Sequence, residues 1–315
     1  MAVAFTFPGQ GSQAVGMGKD LADAFPEARR VFQEVDDALG ENLSKLIWEG
    51  PEETLTLTAN AQPALMAVSL AAIRALEARG FSLKDKVAYV AGHSLGEYSA
   101  LAAAGFVSVA DAARLLRIRG NAMQAAVPAG EGAMAAIIGL EQADVEATCT
   151  EAAQGSGKVC QIANDNGGGQ LVISGAKAAV ELAAKLCTEK GAKRALMLQV
   201  SAPFHSALMA PAANVMRDAL AGVTKHAPAV PVLSNVTVTP TSDPDEIARR
   251  LVEQITGRVR WRETVEWFGA NGVTTLYEVG AGKVLSGLAR RINRDIGTAA
   301  IGNPAEIEAA LAALA

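Results

Sequence analysis

Residues 88–101 read AYVAGHSLGEYSAL. An apolar run over 87–91 halts at Gly92. Ser94 follows, then Gly96, and an Ala-rich run begins. The pattern predicts a strand, a tight bend and a helix, with Ser94 in the bend. Two readings fit G-x-S-x-G. In one, the bend is a nucleophile elbow that lifts the serine hydroxyl to the top of a parallel sheet, and the glycines let the backbone pass without side-chain clashes. In the other, Ser94 only caps the helix. The remaining residues have to decide between an α/β catalytic fold and an ordinary strand-to-helix turn.

The flanking pattern favours α/β. Residues 3–7 (VAFTF) read as a strand, followed by the loop PGQGSQ. Helical patterns cover 63–79 and 109–124. Alternating strands and helices imply a parallel sheet covered on both faces. The rhythm changes near Pro128. Strands at 133–140, 159–163, 170–174 and 194–200 enclose helices at 142–153 and 176–190, which is the β-α-β-β-α-β order of a ferredoxin-like unit. The large-domain rhythm resumes afterwards: helix 206–220, strand 230–235, helices 244–256 and 263–271, strand 274–279, helix 283–293. The expected architecture is an α/β-hydrolase-like large domain (1–127 and 201–315) with a ferredoxin-like subdomain (128–200) inserted in it.

Composition supports a packed core. The chain has 315 residues, of which 50% are hydrophobic and 19% charged, with a net charge of −5. Such a balance does not describe a disordered chain, and it lacks the basic excess that general nucleic-acid binding requires. Cys149, Cys160 and Cys187 match no metal-ligand spacing and, being odd in number, fit a disulfide scaffold poorly. A reducing cytoplasm is the simplest expectation. The N-terminal MAVAFTFPGQ lacks the basic region of a signal peptide. No apolar stretch of membrane-spanning length is free of charges and breakers. No metal or cofactor is expected.

A serine nucleophile needs a base, usually histidine, and the chain has three histidines. His93 is adjacent to Ser94, and neighbours on a tight elbow diverge, so it suits the pocket wall better than the base. His226 lies in TKHAPAVP, a turn-rich and solvent-facing context. His205, in SAPFHS, falls at the hinge between the two expected domains, where clefts form, and is the best candidate. No orienting acid stands out: Asp111, Asp144 and Asp165 lie between Ser94 and His205, none in a persuasive strand-end loop. An amide or carbonyl oxygen can also hold the imidazole tautomer. Residues 9–14 (GQGSQA) fit G-x-G-x-x-A, but the second strand ending in an acid roughly 20 residues on is missing, so dinucleotide binding is rejected. The loop fits an oxyanion donor better, with Gln10 joining the Leu95 N–H. Arg119 is either a solvated cation near a helix end, as Arg114 and Arg117 are, or a bidentate clamp for a substrate carboxylate.

PGQGSQ (8–13), QPAL (62–65), GHSLGEYSAL (92–101), RGNAMQ (119–124), APFHS (202–206), LSNVT (233–237), LVEQ (251–254) and YEVGAGKVLSGLARRI (277–292) stand together in one order and spacing. In these the chain resembles, over essentially its whole length, the malonyl-CoA:acyl carrier protein transacylases of dissociated fatty-acid synthases. The resemblance implies ping-pong acyl transfer from a coenzyme A thioester to the phosphopantetheine thiol of an acidic acyl carrier protein. Ser94 would be the nucleophile and His205 the base. A backbone carbonyl near Gln254 would orient the histidine, and Gln10 with Leu95 would form the oxyanion hole. Arg119 would clamp the malonyl carboxylate. Gln62, His93, Asn166 and Met123 map to the substrate pocket, and bulky Phe204 is expected to narrow it against a 2-methyl branch. Gly280-Ala281-Gly282 departs from the Gly-Pro-Gly of many relatives and bears on a loop.

With no linker-like ends a free-standing enzyme is expected rather than a megasynthase fragment, a monomer without nucleic-acid or membrane partners. Carrier docking would need local basic surface; Lys185, Lys190, Lys193 and Arg194, or Arg290, Arg291 and Arg294, are the candidates beside an ordinary solvated role. A serine hydrolase, an acyltransferase for another extender unit and a non-catalytic carrier-binding module are the competing readings.

Overall fold

The computed structural model describes residues 2–200 and 202–315. Among the described residues ten strands form two sheets. β1 (Ala2–Phe7), β2 (Tyr89–Gly92), β7 (Val232–Leu233), β8 (Pro240–Thr241), β9 (Val273–Val279) and β10 (Gly297–Ile301) make a sheet of order β10-β9-β1-β2-β7-β8. It is parallel except for the β7–β8 pair. Alternate residues feed two cores, as a sheet buried on both faces requires. Phe5, Val90, Val232 and Val279 face the large core built on helix Thr58–Glu77. Ala4, Ala91, Leu233 and Leu276 face helices Trp261–Ala270 and Val284–Ile292.

The other sheet holds β3 (Gly132–Ile138), β4 (Cys160–Asp165), β5 (Gln170–Ala176) and β6 (Arg194–Met197) in the antiparallel order β4-β5-β3-β6. Its side chains alternate cleanly. Ala135, Ile137, Leu171 and Ile173 pack under helices Gln142–Ser156 and Lys177–Glu189. Met134 and Val172 point the other way, toward the large core. Cys149, Cys160 and Cys187 are free and buried together inside this unit.

The register places the site. Phe7 pairs with Gly92, so the loop after β1 and the bend after β2 leave the sheet side by side at the carboxyl ends of their strands, where ligands bind in open α/β sheets.

Three expectations shift. The helix expected from Pro63 starts at Thr58 and carries Pro63 inside. Proline favours a first turn, but here packing supports an earlier start. The strand expected over 230–235 shrinks to β7, because Asn235 leaves the sheet to bond the bend after β2. The helix expected over 206–220 opens as a 3-10 turn, Ala207–Met209, and becomes α-helical at Ala210–Ala221. Among the described residues no helix is long and apolar enough to cross a membrane.

Candidate active site

Ser94 stands at the N-terminus of helix Leu95–Ala103 with φ 55° and ψ −110°. A non-glycine residue seldom adopts positive φ, and the strain marks an elbow. The flanking glycines have separate packing reasons. A Cβ on Gly92 would lie 1.8 Å from the Gly96 carbonyl carbon, and one on Gly96 would lie 2.1 Å from the Phe7 carbonyl oxygen. Both obstacles are backbone, so neither position accepts a side chain.

The bend is held from below. The Ser94 N–H donates to Asn235 Oδ1 at 2.8 Å, and Asn235 Nδ2 donates to the Gly92 carbonyl at 2.7 Å. Gln254 Nε2 donates to the Ser94 carbonyl at 3.0 Å and to Glu97 Oε2 at 2.7 Å. Asn235, Gln254 and Glu97 are all buried. Asn235 and Glu97 were inside the quoted motifs, yet nothing in their residue type announces that they converge on the Ser94 backbone.

His205, also at positive φ (55°), meets Ser94 from the loop beyond β6. Its Nε2 lies 2.7 Å from Ser94 Oγ. Its Nδ1 faces two main-chain carbonyls, Gln254 at 2.9 Å and Gly257 at 3.1 Å. Carbonyls only accept, so the proton sits on Nδ1 and the Nε2 lone pair faces the serine hydroxyl. Burial, then the charge of Arg119, pushes the imidazole down to about 3, so it is neutral at physiological pH. None of the three carboxylates considered from sequence touches it. Asp111 bonds Ser108 and Arg114, Asp165 pairs with Arg262, and Asp144 sits in the first turn of its own helix. Gln161 fixes the histidine turn by accepting from the Ala207 N–H at 3.0 Å.

Arg119 is only 1% exposed. The solvated reading is therefore overturned for Arg119, whose helix continues to Ala125. Arg114 and Arg117 do lie toward the surface, bonding Asp111 and Glu41. Gly120 explains the difference. A Cβ there would lie 2.6 Å from Ala59 Cα, so its absence lets two helices touch and brings Arg119 against Gln62. The guanidinium donates to Gln62 Oε1 (2.8 Å), Gln254 Oε1 (2.9 Å) and Ser94 Oγ (3.1 Å), and lies over the Tyr98 ring. All three acceptors are neutral, and Arg119 Nε is buried without a partner. A chain of bonds continues from Gln62 Nε2 to Thr58 Oγ1 and from Thr58 Oγ1 to Gln10 Oε1, each 2.9 Å.

These groups line a cleft of about 630 Å³ between the two sheets. Gln10 and Leu95 edge it beside Ser94, and Met123, Phe204 and Asn166 form its walls. His93 turns away from the Ser94–His205 pair: its Nε2 lies 2.9 Å from Asn166 Oδ1 and its ring packs near Trp261. His226 is exposed. Of the basic residues considered for docking, Lys185 and Lys190 are paired with Glu189 and Glu151, whereas Arg291 lines the cleft.

A neutral imidazole against the hydroxyl of a strained serine, beside a buried guanidinium that no carboxylate touches directly, suits acyl transfer from an anionic acyl group. Comparison with known proteins agrees. The family model for the acyl transferase domain matches residues 4–295. This chain belongs to the acyl transferase family. Within the family it is 48% identical, over 98% of both chains, to the malonyl CoA-acyl carrier protein transacylase of Escherichia coli (strain K12). The crystal structure of the acyl-carrier-protein-S-malonyltransferase from Bartonella henselae superimposes with a TM-score of 0.98 at 64% identity, covering 100% of this chain and 99% of that one. A malonyl-transacylase solved in complex with a type II PKS acyl-carrier protein gives a TM-score of 0.95 at 45% identity, covering 99% of this chain and 100% of that one. These relatives cover nearly the whole chain, so the fold is shared across both sheets.

Proposed function

We propose that this chain is a malonyl-CoA:acyl carrier protein S-malonyltransferase that works through a malonyl-Ser94 intermediate. The observation that carries the reading is the position of Ser94 Oγ, 2.7 Å from a histidine nitrogen and 3.1 Å from a buried guanidinium. The near-full-length similarity to named transacylases supports the same reaction.

His205 Nε2 takes the Ser94 proton as Oγ bonds to the malonyl thioester carbon. The oxyanion that forms faces the Leu95 N–H and the Gln10 end of the β1 loop. Collapse breaks the C–S bond, and the departing thiolate of coenzyme A takes the proton back from Nε2. The thiol of the carrier's phosphopantetheine arm then enters, gives its proton to Nε2 and attacks the malonyl ester. Collapse returns that proton to Ser94 Oγ and releases malonyl-thioester carrier. Throughout, the Gln254 and Gly257 carbonyls hold the Nδ1 proton.

Arg119 binds the malonyl carboxylate. Gln62 and Gln254 hold the guanidinium in place by hydrogen bonds, and the Tyr98 ring packs against it. An acetyl group leaves the guanidinium with no carboxylate in direct contact, and this is the source of selectivity. The carrier is proposed as the acyl acceptor, in line with the carrier complex of the related malonyl-transacylase. We place the reaction in the cytoplasm, a reading supported by three free cysteines.

Intact-mass spectrometry after brief mixing with malonyl-CoA tests the reading. One malonyl adduct is expected, absent in Ser94→Ala, formed far faster than any acetyl adduct from acetyl-CoA, and discharged by carrier protein. Hydrolysis without transfer to the carrier would instead indicate a hydrolase, and no adduct a binding module.

A further inference from the structure

Glu97 lies one turn into the helix that Ser94 caps. It is 2% exposed, and no step above uses it. Its Oε2 accepts from Gln254 Nε2 at 2.7 Å and from the Asn235 N–H at 3.2 Å. The other end of the same amide, Gln254 Oε1, accepts from Arg119 Nη2 at 2.9 Å. Carboxylate and guanidinium are thus joined through one amide instead of pairing directly.

This arrangement solves a conflict. A buried cation with no counter-charge is costly. A carboxylate placed directly on the guanidinium would occupy the donors that face Ser94. An anion held one side chain away offsets part of the cost and leaves Nη2 on Ser94 Oγ.

We propose that Glu97 is the built-in counter-ion of Arg119 and sets how strongly the clamp holds a substrate carboxylate. The inference rests on the reading of Arg119 as the malonyl clamp. A bound malonyl carboxylate puts a second anion beside one buried cation, so the two anions oppose each other.

The charged and titratable groups around Glu97 are Arg119 from its helix, Arg250 from helix Pro244–Thr256 and Tyr98 on its own helix; Gln254 and Asn235 supply hydrogen bonds. Burial pushes the Glu97 carboxyl up to about 7, against the opposing pull of those hydrogen bonds and cations. Neutral Glu97 leaves the field of Arg119 whole, and ionised Glu97 weakens it. The malonyl carboxylate stays ionised across this range. Preference for malonyl therefore falls as pH rises through about 7, and loading takes up a proton.

The test is the ratio of kcat/KM for malonyl-CoA to that for acetyl-CoA in Ser94 loading, from about pH 6 to about pH 8.5. Acetyl-CoA carries the same nucleotide phosphates and uses the same His205, so their titrations cancel. In the unmodified enzyme the ratio should drop roughly fivefold across the range. Glu97→Gln keeps the shape and the hydrogen-bond acceptor without the charge, and should hold the ratio at its low-pH value. A flat ratio in the unmodified enzyme overturns the proposal without reliance on any variant. So does a Glu97→Gln slope equal to that of the unmodified enzyme. Arg119→Ala separates the two readings. If it loses malonyl and acetyl loading alike, the clamp itself fails; if its loss is selective while the ratio is flat, only the role of Glu97 fails.

Discussion

Arg119 Nη2 donates to Ser94 Oγ at 3.1 Å, so the buried cation and the serine hydroxyl touch. Any acyl group on Ser94 begins within reach of the guanidinium. Arg119→Ala should therefore reduce malonyl loading far more than acetyl loading. Breaking a buried charge pair costs about 3–5 kcal/mol, a selective loss of roughly a hundredfold or more. Equal losses in the two loading rates would exclude a carboxylate clamp.

Asn235 should behave differently. Its side chain accepts from the Ser94 N–H and donates to the Gly92 carbonyl, so it holds the elbow and not the acyl group. Asn235→Ala leaves both buried groups unpaired, at about 1–3 kcal/mol each. Malonyl and acetyl loading should fall together, with a lower thermal midpoint. A selective loss of malonyl loading would contradict this assignment.

The acid limb of the loading rate should lie far below the ordinary histidine range. His205 is held neutral down to about 3, against an ordinary 6.5. The sign for stability follows from the same displacement. Between those two values the unfolded chain binds the extra proton, so stability is full above about 6.5 and is lost as pH falls toward about 3. Urea unfolding at several pH values should show this slope, shallower in His205→Ala. A loading rate that halves near the ordinary histidine value would show that the base is not shielded.

Phe204 lines the cleft immediately before the base and is 9% exposed. Its ring takes up space in the cleft that holds Ser94 and Arg119. Phe204→Ser should raise methylmalonyl loading by roughly tenfold, the scale expected for relieving one methyl-sized clash. Unchanged use of methylmalonyl-CoA in mass-detected loading would remove Phe204 from specificity.

Much of this architecture was legible in local pattern. The apolar runs and their breaks gave both sheets, because a strand buried on both faces and a strand with one covered face read differently. The meeting of Ser94 and His205 was legible because a serine in a tight bend and a histidine at a hinge are chemically distinctive and histidines are scarce here. Gln254, Gln62 and Asn166 entered only through family resemblance, since buried amides look like any other polar residue in a helix or loop. Asn235, Glu97, Thr58 and Gln161 were missed as site residues for the same reason. The strand expected at 230–235 ends early because Asn235 serves the elbow after the neighbouring β2 and not its own strand.

The amino-acid order by itself determined the alternation of strands and helices, the inserted antiparallel unit, and the bend in which Ser94 stands. These depend on periodicity and on glycine, which act over a few residues. Tertiary structure alone decided that Arg119 is buried and Arg117 is not, that carbonyls and not a carboxylate orient His205, and that Glu97 reaches Arg119 through Gln254. Those outcomes depend on backbones meeting across long separations, as Gly120 meets Ala59. Burial then fixes charge, tautomer and hydrogen-bond direction, because a polar group removed from water must find its partner within the protein.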